Sequence, residues 1–219
     1  ADHGDAFAVA NYVDAPGQAF YQGCGPYGCY YAYYGGLAAL ENDGNLYAHA
    51  AADGGVARAY GGVVIGRLHA QAANRGDIMA VAEADGGEAQ AVGLLVRSDY
   101  GDVWADNAEG ASIVAAAYGD DSDATAVLFV SPSYAVLTNS GSIAALGDGA
   151  RVAVDARLSA QAFINNYGLI AGDILTGDGD DVIYNGEGGH VRLSGSIVDL
   201  GYSAAYGNTF LNYGTVSAN

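Results

Sequence analysis

Along most of the chain, apolar and small residues alternate with polar ones in short runs that break at Gly, Asp or Asn. Three stretches align: NLYAHAAADGGVARAYGGVV (45–64), DIMAVAEADGGEAQAVGLLV (77–96) and SIVAAAYGDDSDATAVLFV (112–130). Leu46, Ile78 and Ile113 open them, at offsets of 32 and 35 residues. Each continues with alternating Ala, meets a turn at Asp53, Asp85 or Asp120, and then resumes alternating. A shorter segment precedes each block: GGLAAL (35–40), GRLHAQA (66–72) and GDVWADN (101–107). A period of two predicts strands, and no segment keeps a 3.6-residue period long enough for a helix. One unit is therefore three short strands separated by Gly/Asp/Asn turns.

Downstream the unit shortens. NSGSI (139–143), NYGLI (166–170), SGSI (194–197) and NYGTV (212–216) share an Asn-x-Gly-x-Ile theme. They place Ile143, Ile170, Ile197 and Val216 at offsets of 27, 27 and 19 residues. Short strands in repeats of this length predict an all-β fold, a right-handed parallel β-solenoid with about three short strands per coil. Ile78, Ala80, Ala82, Ala89 and Ala91 are the expected inward set of one coil. Gly and Asn suit its corners because both tolerate the left-handed backbone. Asn at successive corners is placed to stack and exchange amide hydrogen bonds. A β-sandwich is the competing arrangement, but its strands favour Val, Ile, Thr and aromatics over Ala and Gly.

If Ile78 points inward, Met79 points outward together with its equivalents Tyr47 and Val114. Tyr60, Val92 and Val127 form a second expected outward row. Contiguous apolar rows outside a coil mark a covered face. The cover is either a terminal segment of the chain or another copy of it.

Charge narrows the partners. The 219 residues carry 25 acids against seven basic residues, all Arg, for a net charge of −18. Binding a polyphosphate needs Lys and Arg to release its counterions, so nucleic acid is excluded as a partner. No apolar run reaches the roughly 18 residues that span a bilayer, which argues against membrane insertion of this segment. The Ala-Asp-His-Gly-Asp start is what signal-peptide removal at a small-residue site would leave, although an arbitrary starting point would look the same; the first reading makes the chain a secreted one. Cys24 and Cys29 lie in one Gly/Pro loop, YQGCGPYGCYYAYYGG (21–36), with no second pair to complete a zinc site. In a secreted chain this reads as a local disulfide.

TNSGSIAALGDGARVAV (138–154) and INNYGLIAGDILTGDGDDVIYNG (164–186) resemble bacterial autotransporter passenger domains and related haemagglutinin-like surface β-helices, a likeness that covers roughly residues 37–219. The resemblance implies secretion across an outer membrane and display at the cell surface, with adhesion or matrix assembly as the role. Residues 37–219 are then the solenoid and 1–36 an N-terminal Tyr-rich cap or docking segment. Terminal units of repeat proteins must differ from internal ones. Tyr27, Tyr30, Tyr31, Tyr33 and Tyr34 can cover strand edges while keeping their hydroxyls wet. With Tyr47, Met79 and Val114 they form the expected assembly interface, which makes a second copy of the chain the expected partner.

Two other chemistries were weighed. Asp53, Asp85 and Asp120 recur at equivalent turns and would stack as an acidic ladder that a cation relieves. TGDGDDVIY (176–184) is similar to the nonapeptide of calcium-binding β-rolls, which nominates Asp178, Asp180 and Asp181 as Ca²⁺ ligands. Ordinary surface turns explain the same acids. Catalysis has little support: His3, His49, His69 and His190 are scattered, and no H-E-x-x-H, G-x-S-x-G or P-loop is present. The expectation is a non-enzymatic extracellular subunit that assembles into a filament or matrix. Its alternatives are a monomeric passenger that binds glycan or a surface, and a polysaccharide-degrading β-helix using acids with Arg58 or Arg67.

Overall fold

A line of asparagines organises the chain. In the computed structural model, which describes residues 4–15, 21–25, 28–33, 36–194, 197–201 and 207–218 and, within 21–33, backbone strands only, all regular structure is β. The chain opens with β1 (Ala6–Ala15) and a hairpin of β2 (Tyr21–Gly25) and β3 (Gly28–Tyr33). Then follow β4 (Leu37–Asn42), β5 (Asn45–Asp53) and β6 (Val56–Gly66), and β7 (His69–Asn74), β8 (Asp77–Asp85) and β9 (Glu88–Ser98). Next come β10 (Val103–Asn107), β11 (Ser112–Tyr118), β12 (Asp121–Asn139), β13 (Ser142–Gly147), β14 (Ala150–Asn166) and β15 (Leu169–Ala171). Short pieces complete the chain: β16 (Asp173–Thr176), β17 (Val182–Asn185), β18 (His190–Leu193), β19 (Val198–Asp199), β20 (Thr209–Asn212) and β21 (Thr215–Ala218).

The strands form two sheets. Seven of them, in the order β5-β8-β11-β13-β15-β18-β21, make an all-parallel sheet in which each strand pairs with its counterpart from the next unit. The other sheet has 14 strands. It holds two parallel runs, β1-β6-β9-β12 and β4-β7-β10-β12, which merge because β12 pairs with β9 over its first half and with β10 over its last five residues. Register shifts near Val130 and Ser131 mark where β12 bends from one run to the other. The expected three segments per unit are therefore fused pairwise in β12 and β14.

Seven asparagines end the strands of the β4-type run: Asn42, Asn74, Asn107, Asn139, Asn166, Asn185 and Asn212. Each Nδ2 donates to the next Oδ1 at 2.7–2.8 Å. Most also donate to a carbonyl of the β5-type strand one unit on, as Asn74 does to Ser112 O at 3.0 Å and Asn139 to Leu169 O at 3.1 Å. The first six are buried, so an unpaired amide here would carry the full desolvation cost.

Two residues past the Asn-x-Gly turn lies the main apolar row. Leu46, Ile78, Ile113, Ile143, Ile170 and Val191 stack in register and are each at most 3% exposed. Ala48, Ala80, Ala115 and Ala145 form the next row. The facing wall is Leu40, Ala72, Ala105, Leu137, Ile164 and Ile183. Glycine makes room where the walls are closest: a Cβ on Gly61 would lie 2.7 Å from Ile78 Cγ2 and 2.6 Å from Gly93 O. The expected inward set, Ile78, Ala80, Ala82, Ala89 and Ala91, is buried throughout.

Two expectations change. Val127 is not outward: β12 pairs with β9 at a constant offset of 33 residues, two fewer than separate Ile78 from Ile113, so Thr125 faces Val92 while Val127 meets Leu94 and is fully buried. Ile197 is not the next member of the Ile row. Asn185-Gly-Glu-Gly-Gly is a longer turn that puts Val191 opposite Ile170, and Val216 follows Val191. Within residues 1–36, β1 pairs parallel with β6 over Ala6–Ala15.

The ladder gives a direct test. Asn139→Ala strands the Asn107 donor and the Asn166 acceptor in a buried site, and is expected to cost about 2–4 kcal/mol in urea unfolding. Asn212→Ala takes one acceptor from Asn185, whose Nδ2 keeps Gly189 O and Thr215 O, and should cost less, about 1 kcal/mol. Equal, small effects would show that the amides are not coupled.

Candidate functional site

β19, β20 and β21 form the last described layer. Val216 is 39% exposed at the position where Ile143, Ile170 and Val191 are all 0% exposed. Phe210 continues the facing wall from Ile183 and is half-buried, while Leu211 and Tyr213 are exposed. β19, β20 and β21 each pair on one side only among the described residues. Asn212 accepts from Asn185, and no partner of its own Nδ2 is seen among the described residues. Among the described residues, this layer leaves one strand edge without a partner.

The opposite end differs. The β4 edge is covered by the antiparallel β3, and the β6 edge by β1. β5 pairs only with β8 among the described residues and keeps one edge free. At this end the hairpin positions the expected N-terminal residues. Gly25 faces Gly28 across β2 and β3, so Cys24 and Cys29 each lie one residue from that pair on adjacent strands. Tyr30, Tyr31 and Tyr33 run along β3 opposite Leu40, Ala39 and Leu37, with their side chains outside the described ones. Tyr27 and Tyr34 lie outside the described residues.

Tyr47, Met79 and Val114 do form one outward row across β5, β8 and β11. Tyr47 is 59% and Met79 36% exposed, and Val114 is half-buried. The turn acids divide. Asp53 and Asp85 are in register and exposed, whereas β11 stops at Tyr118 and leaves Asp120 in a turn beyond the ladder.

Asp178, Asp180 and Asp181 do not converge. Among the described residues no group of three or more His, Cys, Asp or Glu is placed to hold a metal ion. Asp178 is exposed, while Asp181 is 1% exposed and accepts from the Ala162 N–H at 2.6 Å. Its backbone N–H donates to Asn208 Oδ1 at 2.9 Å, and Oδ2 accepts no hydrogen bond. Burial pushes the Asp181 carboxyl above the usual carboxylate range; Thr176 and the Ala162 N–H pull it back, and Asp180 and Asp178 push it further up. Asp181 thus works as a buried corner acceptor.

Two features escaped the sequence. One is the identity of the asparagines that ladder, although Asn-x-Gly before each apolar residue signals them. The other is an outer depression of about 410 Å³ around Trp104, bordered by Glu41, Gln71, Asp106, Val136 and Thr138. Its members come from four different strands, and their only signal is an aromatic at an outward position of GDVWADN.

Asp181 gives a pH test. An acid with a raised folded value favours the protonated fold, so its contribution is present at low pH. That contribution is lost as pH rises from about 3.8 through the folded value. Asp181→Asn keeps the acceptor for Ala162 and removes the buried charge. It is expected to raise stability at pH 7 by about 1 kcal/mol, with the gain vanishing near pH 4. Thermal melts of both proteins across that range check this, and destabilisation by Asn at pH 7 would contradict it.

Comparison with protein-family models, curated protein sequences and solved structures finds no match. The resemblance of residues 37–219 to autotransporter passengers gains no support there, and the functional reading rests on the geometry.

Proposed function

We propose that the chain is a right-handed parallel β-solenoid that serves as the subunit of an extracellular filament or surface matrix, stacking end to end on copies of itself. The observation that carries this reading is the seven-strand sheet, in which every strand pairs parallel with its counterpart from the next unit, a pattern that a copy of the chain can continue. An open parallel edge recruits a strand unless something blocks it. Among the described residues β21 and β5 each pair on one side only, so parallel pairing between copies would extend this sheet. The charge of −18 keeps free subunits apart and soluble until ends meet.

In this reading the hairpin carrying Tyr30, Tyr31 and Tyr33 forms part of the joint, and a Cys24–Cys29 disulfide pins it in an oxidising compartment. Secretion and surface display follow from that compartment. The Tyr47–Met79–Val114 row is the lateral contact between filaments.

Electron microscopy of the purified chain at physiological salt is expected to show regular fibres. Val216→Lys sets a charge at an exposed position of β21, where the fold tolerates it, and should leave single particles with an unchanged circular dichroism spectrum. Monodisperse rods from the parent chain, or fibres undiminished by Val216→Lys, would overturn the proposal.

A further inference from the structure

The depression around Trp104 lies on the outer face of the β4-β7-β10-β12 run. Gln71, Trp104 and Val136 form one outward row in register. Glu41, Ala73, Asp106 and Thr138 form the next. The small Ala73 between two carboxylates leaves the hollow, whose volume of about 410 Å³ falls within the range of small-ligand sites. Trp104 is half-buried, and its ring packs against His69, with centroids 5.3 Å apart at 42°. His69 is held in turn, its Nδ1 accepting from the Asp102 N–H at 3.3 Å. The indole is therefore fixed in place before any ligand arrives. Arg75 lies 4.0 Å from Glu41 and within electrostatic reach of Asp106, offsetting part of their charge.

We infer that this groove binds a neutral glycan segment through Trp104, Gln71, Asp106, Glu41 and Thr138. A rigid aromatic face suits the C–H face of a pyranose ring, as it suits other flat, partly apolar surfaces. The two carboxylates accept from sugar hydroxyls, the Gln71 amide donates and accepts, and the Thr138 hydroxyl does either. The acids and the overall charge turn away uronate-rich chains and phosphates. A quaternary ammonium ligand is the competing occupant, but such cations are held by a cage of several rings, and this groove has one. None of its residues lies in β19, β20 or β21, while Glu41 pairs with Cys29 of the hairpin.

Trp104 is the only Trp in the chain, so its emission reports on the groove directly. Titration with cellotetraose, mannotetraose, maltotetraose and chitotetraose is expected to give a saturable emission change with at least one of them, and none with tetragalacturonate or choline. Calorimetry on Trp104→Ala and on the exposed Gln71→Ala should show binding weakened at least about tenfold for the first and measurably for the second. Tyr213→Ala, at the far end, should bind as the parent does, and unchanged melting curves exclude loss of fold. No saturable change with any neutral sugar up to about 10 mM overturns the inference. Binding of choline or tetragalacturonate in their place overturns it equally, as does sugar binding that survives Trp104→Ala.

Discussion

Six amide-to-amide hydrogen bonds of 2.7–2.8 Å join asparagines from Asn42 to Asn212 in one line along the stack. A buried primary amide has two donors and an acceptor to satisfy, and only a neighbour of the same kind at the strand spacing satisfies them in every layer. A slip of one residue in any unit would leave two amides unpaired in a dry interior, so the line fixes register from unit to unit. It also tolerates irregular units. Successive asparagines are 32, 33, 32, 27, 19 and 27 residues apart, yet each resets the pairing at the same corner. What varies is the excursion between corners.

With register fixed, the interior needs only size matching. Ile and Leu fill the space next to the Asn corner, Ala lines the narrower part, and Gly61 and Gly93 give way to the Ile78 and Ile113 side chains. None of this constrains the outward residues, which are free to carry function. The molecule thereby separates two kinds of surface. Among the described residues β5 and β21 each pair on one side only, and the flanks hold side-chain rows such as Tyr47–Met79–Val114 and Gln71–Trp104–Val136.

Much of this was legible in the residues. Alternation with Ala gave the strands, and the inward set from Ile78 to Ala91 is buried as expected. Other parts depend on distances that sequence does not record. AFAVANYVDA became β1 although no Asn-x-Gly turn precedes it, because its partner lies about 50 residues on, at Ala57–Gly66. Val127 sits inward because the offset between counterparts shortens from 35 residues in the β8–β11 pair to 33 in the β9–β12 pair, and Ile197 leaves its row because a longer turn moves that row to Val191. The TGDGDDVIY motif suggested a cation site, but its most buried carboxylate is spent on the backbone of Ala162. The Trp104 groove is assembled from four strands and has no local signature.

Hydrogen exchange of the asparagine side-chain amides, followed by NMR, tests the ladder most directly. The account predicts strong protection at Asn74, Asn107, Asn139 and Asn166, which lie inside the line, and fast exchange at Asn212, which ends it exposed. Exchange at solvent-like rates for the inner amides would contradict the claim that this line holds the stack in register.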